Sequence, residues 1–260
     1  MTPSPPPQPP AAAPDRRVGG TTSRAGNAVA AQGGRVARTG TVTLLAPTWN
    51  EIEAVRVVLP RLQREWVDEI IIVDGGSTDG TVEFCQQLGL RVYTQKTRGY
   101  GAALREAIAE STGDYIIEFQ PDGNSVPEMV PKMIAKIEEG YDLVIGSRYQ
   151  PGAVSYDDDR LTKVGNRSFT FLVNLLFRAK YTDTLIGFRI FRRDAFEKLG
   201  IDQDGLAWAI QIPIRFAKGD FRIGEIAADE PARIGGKRKM RPFKHGWEFL
   251  MLMLREFFTK

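Results

Sequence analysis

At 260 residues, with 42% hydrophobic and 26% charged side chains, the chain can build one large or two small domains around a real core. A single cysteine, Cys85, and a single histidine, His245, exclude a disulfide framework, a cysteine zinc site and multi-histidine metal centres. The net charge of +3 is unevenly spread: residues 1–40 carry +4, leaving about −1 for residues 41–260, so a general nucleic-acid-binding surface is poorly supported.

Residues 1–40 are Pro, Ala and Gly with almost no large apolar side chains, and such a segment cannot offset the entropy of folding. It is expected to be a disordered basic arm, and it contains no apolar run long enough for a secretory signal. From Thr41 short apolar runs alternate with amphipathic ones. "TVTLLAPT" predicts a strand closed by Pro47, and "EAVRVVLPRLQREW" a helix disturbed by Pro60. "EIIIVDGGSTDGT" predicts a buried strand over Ile70–Val73 ending in a glycine loop, followed by the helix "GTVEFCQQLG" with Cys85 as a buried thiol. "RVYTQ" is a further strand and "GYGAALREAIAESTG" a helix ending at Gly113. "YIIEF", the helix "VPEMVPKMIAKIEEG" and the strand "YDLVIGSRY" follow in turn.

Strands rich in Val and Ile, separated by helices, predict an α/β fold with a mostly parallel sheet covered on both faces. Ligands of such sheets bind at the carboxyl ends of the strands. Those ends carry Pro47-Thr48-Trp49-Asn50-Glu51, Val73-Asp74-Gly75-Gly76, Gln120-Pro121-Asp122 and Ser147-Arg148. Asp122 has two readings, the polar residue of a Pro-Asp-Gly turn or the carboxylate of a metal site, and the convergence of polar strand ends favours the second.

Beyond Tyr149 a polar loop, "VSYDDDRLTKVGN", is expected to lead into the helix "RSFTFLVNLLFRAK". "FRIGEIAAD" predicts an edge strand. Arg233, Lys237, Arg238, Lys239, Arg241 and Lys244 occupy a stretch without an acid between Ala232 and Trp247, either a solvated loop or a site for phosphate or an anionic membrane face. "WEFLMLMLREFF" is too short to cross a bilayer, which needs about 20 apolar residues. It is expected to be a membrane-surface helix at residues 246–260 or a helix docked on the core.

"PTWNE", "IIIVDGGSTDGT", "RGYGAALREAIAESTGDYIIEFQPDGNSVPEMVP", "YDLVIGSRY", "DTLIGFRIFRRDAF" and "RIGGKRKM" come in an order that resembles family 2 glycosyltransferases, over roughly residues 41–245. Within that family the chain is most similar to dolichyl- or polyprenyl-phosphate mannose synthases and their glucosyl relatives. The resemblance implies a GT-A fold, a nucleotide-sugar donor such as GDP-mannose, a magnesium or manganese ion, a lipid-phosphate acceptor and a cytoplasmic enzyme held peripherally at the membrane. It implies that Pro47, Trp49, Glu51, Val73 and Asp74 hold the nucleotide. Gln120, Pro121, Asp122 and Asn124 stand where the family has its Asp-x-Asp metal motif and a following polar ligand. Arg148 and Lys163 match positions that grip the acceptor phosphate, and Arg233 and Lys239 those of a mobile loop closing over the donor diphosphate.

Two departures stand out: Gln120 replaces the first acid of the metal motif, and Gly75 the second acid of the usual Asp-Asp pair. Amide oxygens still suit a hard cation, and the donor diphosphate brings its own negative charge. A lipid monophosphate is already an anion, so its oxygen can attack the anomeric carbon without a base and with inversion. Two alternatives remain. The acceptor could be a saccharide or small-molecule hydroxyl with Asp183 as its base, or the chain could be an inactive nucleotide-sugar-binding homologue.

Overall fold

The computed structural model describes residues 37–236 and 238–259. The expected arm lies mostly outside the described residues, but its last few residues are already tied to the domain. Arg38 pairs with Asp68 at 2.7 Å, and Thr39 donates to Glu138 at 2.9 Å.

Seven strands form one sheet: β1 (Val42–Thr48), β2 (Glu69–Asp74), β3 (Arg91–Thr94), β4 (Tyr115–Glu118), β5 (Leu143–Ser147), β6 (Arg189–Arg192) and β7 (Ile223–Ala227). Their order is β3-β2-β1-β4-β6-β5-β7, and only β6 runs against its neighbours β4 and β5. The mostly parallel sheet and the edge strand β7 follow the expectation. Leu44, Leu45, Ile71, Ile72, Ile116 and Ile117 are fully buried, because helices cover both faces of the sheet. Since β1 to β5 and β7 share one direction, their carboxyl ends and the loop entering β6 open on the same edge.

Helices α1 (Ile52–Val58), α2 (Thr81–Gln87), α3 (Tyr100–Glu110) and α4 (Val130–Ile137) follow the first four strands. Pro60 lies in a single 3-10 turn, Leu59–Arg61, where the lost N–H costs least. α5 (Arg160–Phe177) starts seven residues before the expected Arg167. Asp159 caps it by accepting from the Thr162 N–H at 2.7 Å. Its first turns look like a loop in sequence because their buried side chains, Thr162 and Asn166, are polar. Asn166 bonds the Tyr149 hydroxyl at 3.2 Å, and further on Thr170 bonds Thr184 at 3.0 Å.

α6 (Arg193–Lys198) and α7 (Trp208–Lys218) precede β7, and α8 (Pro242–Phe258) closes the described chain. The boundary expected at residue 246 falls inside α8, which opens on Pro242 at its first position. α8 is docked on the core as well as partly exposed. Phe249, Leu252 and Met253 are buried, and the fully buried Glu256 meets Arg215 at 2.6 Å and Lys218 at 3.2 Å on α7.

Beneath the open edge lies a second buried pair, between opposed residues of β4 and β6. Arg189 Nε sits 3.2 Å from Glu118 Oε2, and both side chains are almost fully enclosed. Arg189 also donates to the carbonyls of Ile186 (2.6 Å) and Ala209 (3.1 Å), while Glu118 accepts from the Tyr100 hydroxyl (2.6 Å) and the Trp208 indole (3.3 Å).

Removing one member of such a pair strands a buried charge. Arg189→Ala is therefore expected to lower stability by about 3–5 kcal/mol in urea denaturation, with part recovered in the double variant Arg189→Met/Glu118→Gln. Burial acts to raise the Glu256 carboxyl, but hydrogen bonds from Arg215, Gln211 and Arg255 outweigh it and hold the group at about 2. A depressed folded value gives stability that is present above the ordinary 4.5 and lost as pH falls toward about 2. Acid titration of unfolding should show this loss in the parent chain and a flatter limb in Glu256→Gln.

Candidate active site

A cavity of about 750 Å³ opens where the strand ends converge. The loop after β1 supplies Trp49 and Glu51, β2 contributes Val73, and the turn after β4 brings Gln120, Asp122 and Asn124. The segment following β7 crosses above them. Its Ile234 N–H donates to the Asp122 carbonyl at 2.9 Å, and the Asn124 amide donates to the Pro231 carbonyl at 2.9 Å. Gly235 and Gly236 both take positive φ, 59° and 62°. A Cβ on Gly235 would stand 1.9 Å from a Glu53 oxygen, so only glycine lets this segment press against the start of α1.

Arg233 is thereby placed between two carboxylates. One guanidinium nitrogen donates to Asp122 Oδ2 at 2.6 Å, and the other bonds Glu51 Oε1. Lys239 Nζ reaches the same Glu51 oxygen at 3.0 Å and lies 5.5 Å from the centroid of the Trp49 ring. Glu51 is buried, and its second oxygen, Oε2, has no hydrogen-bond partner among the described residues. The expected proximity of Asp122 to the arginine-lysine segment is therefore present as direct contact.

Pro47, Trp49, Glu51, Val73, Gln120, Asp122, Asn124, Arg148, Arg233 and Lys239 all line the cavity. Three other expected site residues do not. Asp74 is buried, and its carboxylate accepts from the N–H groups of Gly76 (2.8 Å) and Ser77 (3.2 Å), shaping the loop rather than facing the cavity. Pro121 is buried in its turn. Lys163 is exposed on α5.

Arg148 reaches the cavity but is already surrounded by carboxylates. It grips Asp183 through Nε (2.6 Å) and Nη2 (3.0 Å), and its Nη1 lies 3.2 Å from Glu230 and 3.5 Å from Asp158. Burial would lower its pKa, yet Asp183 and Glu230 hold it well above the usual arginine range. Burial raises the Glu230 carboxyl, against the pull of Arg148 and Ser155. Asp183 is fully buried and absent from the cavity lining.

A Cβ on Gly75 would stand 3.2 Å from the Trp49 Cβ and 3.3 Å from the Thr48 carbonyl, so a side chain at 75 would crowd the strand end beside it. The Tyr100 hydroxyl donates to Glu118, and burial and that carboxylate raise its pKa well above the phenol range.

Arg238, from the basic stretch expected to meet phosphate, also lines the cavity; Lys96 and Arg98 from the loop after β3, Tyr100 opening α3, Asp157, Asn166 and Glu230 do too and were not anticipated. The strand-end rule applied to "RVYTQKTRG" would have found Lys96 and Arg98. Nothing in the local sequence distinguishes Asp157 or Glu230 from surface acids.

Known proteins resemble this chain in fold and in sequence. Solved structures of glucosyl-3-phosphoglycerate synthase from Mycobacterium tuberculosis share the fold. The complex with Mn2+, uridine diphosphate and phosphoglyceric acid superposes with a TM-score of 0.67 at 23% identity, covering 85% of this chain and 80% of that one. These neighbours are GT-A glycosyltransferases, which identifies the seven-stranded arrangement. Two proteins of Haloferax volcanii are similar in sequence. The chain is 33% identical to glycosyltransferase AglJ over 79% of its own length and 68% of that protein. It is 32% identical to a dolichyl-phosphate hexose transferase over 76% of its length and 86% of that protein. The family model described as glycosyl transferase family 2 matches residues 43–200, which include the Trp49–Glu51 loop, the Asp122 turn and Arg148. The chain is a glycosyltransferase and belongs to family 2.

Proposed function

We propose that the chain transfers a hexose, mannose or glucose, from a nucleotide sugar to a polyprenyl or dolichyl phosphate, with inversion at the anomeric carbon. The observation that carries this reading is the charge arrangement of one cavity. Arg233 and Lys239 are held over Glu51 and Asp122 on a glycine-hinged segment, and Lys96, Arg98 and Arg238 stand around the same space. Two anionic reactants must be brought together, and fixed cations serve both. The similarity to a dolichyl-phosphate hexose transferase supports the acceptor class.

In this reading Pro47, Val73 and the half-exposed Trp49 ring hold the nucleoside. Arg233 and Lys239 exchange their carboxylates for the donor diphosphate when the segment closes. Arg238, beside Thr162 at the start of α5, is placed to meet the acceptor phosphate, a role the outward Lys163 does not fit. An acceptor phosphate oxygen forms the new bond to the anomeric carbon, and the nucleoside diphosphate leaves with the electron pair of the broken bond.

A hydroxyl acceptor would need a base, and the one expected from the sequence, Asp183, is poorly placed for it. Asp183 is buried in the grip of Arg148, and Glu230 is engaged by Arg148 and Ser155.

Among the described residues no three acidic, histidine or cysteine groups converge as a self-sufficient metal site. The donor set suits instead a magnesium or manganese ion shared with the nucleotide, in which a single carboxylate suffices because diphosphate oxygens and water complete the shell. Asp122 would anchor it, with the Asn124 side chain next in the turn. Bound there, the ion would offset the charge that develops on the departing diphosphate.

Calorimetry with GDP and UDP tests the site. Asp122→Ala should weaken nucleotide binding about tenfold or more in manganese and abolish its sensitivity to chelator. An affinity indifferent to both changes rejects the ion site. GDP- and UDP-sugars, screened with polyprenyl phosphate against soluble acceptors, should yield lipid-linked product. NMR of the product from an α-linked donor should show a β linkage, and an α linkage rejects inversion.

A further inference from the structure

The turn after β4 offers a hard cation three oxygen-bearing groups: the Asp122 carboxylate, the Asp122 carbonyl and the Asn124 side chain. Residues 231–236 engage all three. Arg233 Nη1 donates to Asp122 Oδ2 at 2.6 Å, the Ile234 N–H donates to the Asp122 carbonyl at 2.9 Å, and the Asn124 amide donates to the Pro231 carbonyl at 2.9 Å. The other Asp122 oxygen, Oδ1, accepts from the Asn124 N–H at 3.1 Å, so both carboxylate oxygens are in use. The segment is pressed close against the turn. A Cβ on Gly123 would stand 2.8 Å from a side-chain carbon of Ile234.

A guanidinium on Asp122 supplies the positive charge that a divalent ion would otherwise bring. Arg233 is held firmly there, because its other terminal nitrogen bonds Glu51 and only 16% of its side chain is exposed. An ion arriving alone would have to displace it. Among the described residues no three acidic, histidine or cysteine groups converge, so the ion would gain a single carboxylate in return. One carboxylate and water improve little on the ion's own hydration shell, and the exchange is unfavourable. A nucleoside diphosphate alters both sides of it. Its oxygens complete the ion's shell, and its charge gives the released Arg233 and Lys239 new partners.

We infer that Arg233 is an internal competitor of the divalent ion, keeping it off Asp122 until a nucleoside diphosphate draws the arginine away, so that ion and donor are taken up together. The inference rests on the ion site proposed above and adds how that site is controlled. Releasing Arg233 opposes whichever ligand comes first and is already done when the second arrives. The diphosphate therefore raises the affinity for the ion, and the ion raises the affinity for the diphosphate by the same factor. Lys239 is not part of the competition, since it reaches Glu51 at 3.0 Å and leaves Asp122 to Arg233.

Manganese binding to the full chain, followed by the loss of the free-ion signal in electron paramagnetic resonance, tests the inference without any turnover. Manganese alone should bind the parent chain weakly, and GDP or UDP should strengthen it. Arg233→Gln should raise the affinity for manganese alone about tenfold or more, as removal of a charged hydrogen bond to the competing group requires. It should also shrink the strengthening that the nucleotide gives. Lys239→Gln should move the affinity for manganese alone far less. The double variant Arg233→Gln/Asp122→Ala should lose the gain, and circular dichroism of each variant checks that the fold is kept. A parent chain that binds manganese alone as tightly as Arg233→Gln overturns the competition. So does a gain that survives Asp122→Ala, or one that Lys239→Gln shares in full. The ion site stands through the first and last of these results if Asp122→Ala removes the binding that nucleotide strengthens in the parent. Manganese that binds neither parent nor Arg233→Gln with nucleotide present rejects the ion site itself, and the competition with it.

Discussion

The Arg189–Glu118 pair joins two parts of the molecule that sequence order keeps apart. β6 runs against every neighbour, and it enters the sheet between β4 and β5 with Arg189 opposite Glu118. A buried ion pair is seldom a net gain over apolar packing, because both charges lose their water. Here the remaining hydrogen-bonding capacity is used to fix surroundings. Arg189 takes the Ile186 and Ala209 carbonyls, and Glu118 takes Tyr100 and Trp208. Tyr100, Ile186 and Ala209 all line the cavity, so one buried contact holds segments from three parts of the chain against the same space.

Above that floor the electrostatics is of a different kind. Arg233 between Glu51 and Asp122 is partly exposed and sits on a segment whose turn depends on two left-handed glycines. The pairs are largely enclosed, so Arg233 gives them up only to a partner of greater negative charge. In the proposed reaction that partner is the donor diphosphate. Arg148, by contrast, is enclosed with Asp183, Glu230 and Asp158, and it ties β5, the loop before β6 and the segment after β7 together. The two arginines look alike in sequence and differ in what surrounds them. A floor that does not yield lies beneath a latch that can.

The chain pattern alone was enough for the α/β class, the mostly parallel sheet and the edge at which ligands gather. Val- and Ile-rich strands between amphipathic helices admit few other arrangements, and parallel strands necessarily share one carboxyl edge. Asp122, Glu51, Trp49 and Arg233 were legible because strand-end loops and a glycine-flanked basic segment are local features. The first two turns of α5 were not, since Asn166 satisfies its polar group only against Tyr149, which is distant in the chain. Asp74 lies outside the cavity lining for a related reason. A carboxylate at a strand end can face the ligand or turn back to its own loop, and the Gly76 and Ser77 amides draw it back.

By itself, then, the sequence determined the layered architecture and the edge where the polar strand ends collect, with about half of the charged residues that line the candidate cavity, because hydrophobic periodicity and turn chemistry act over a few residues. Only tertiary structure decided which charges are free to meet a substrate. It enclosed Arg148 and Asp183 in each other, turned Lys163 outward, brought Lys96 and Arg98 inward and set α5 beside α8. Such choices depend on the burial of each group and on partners far away in sequence, and no local pattern of residues encodes either.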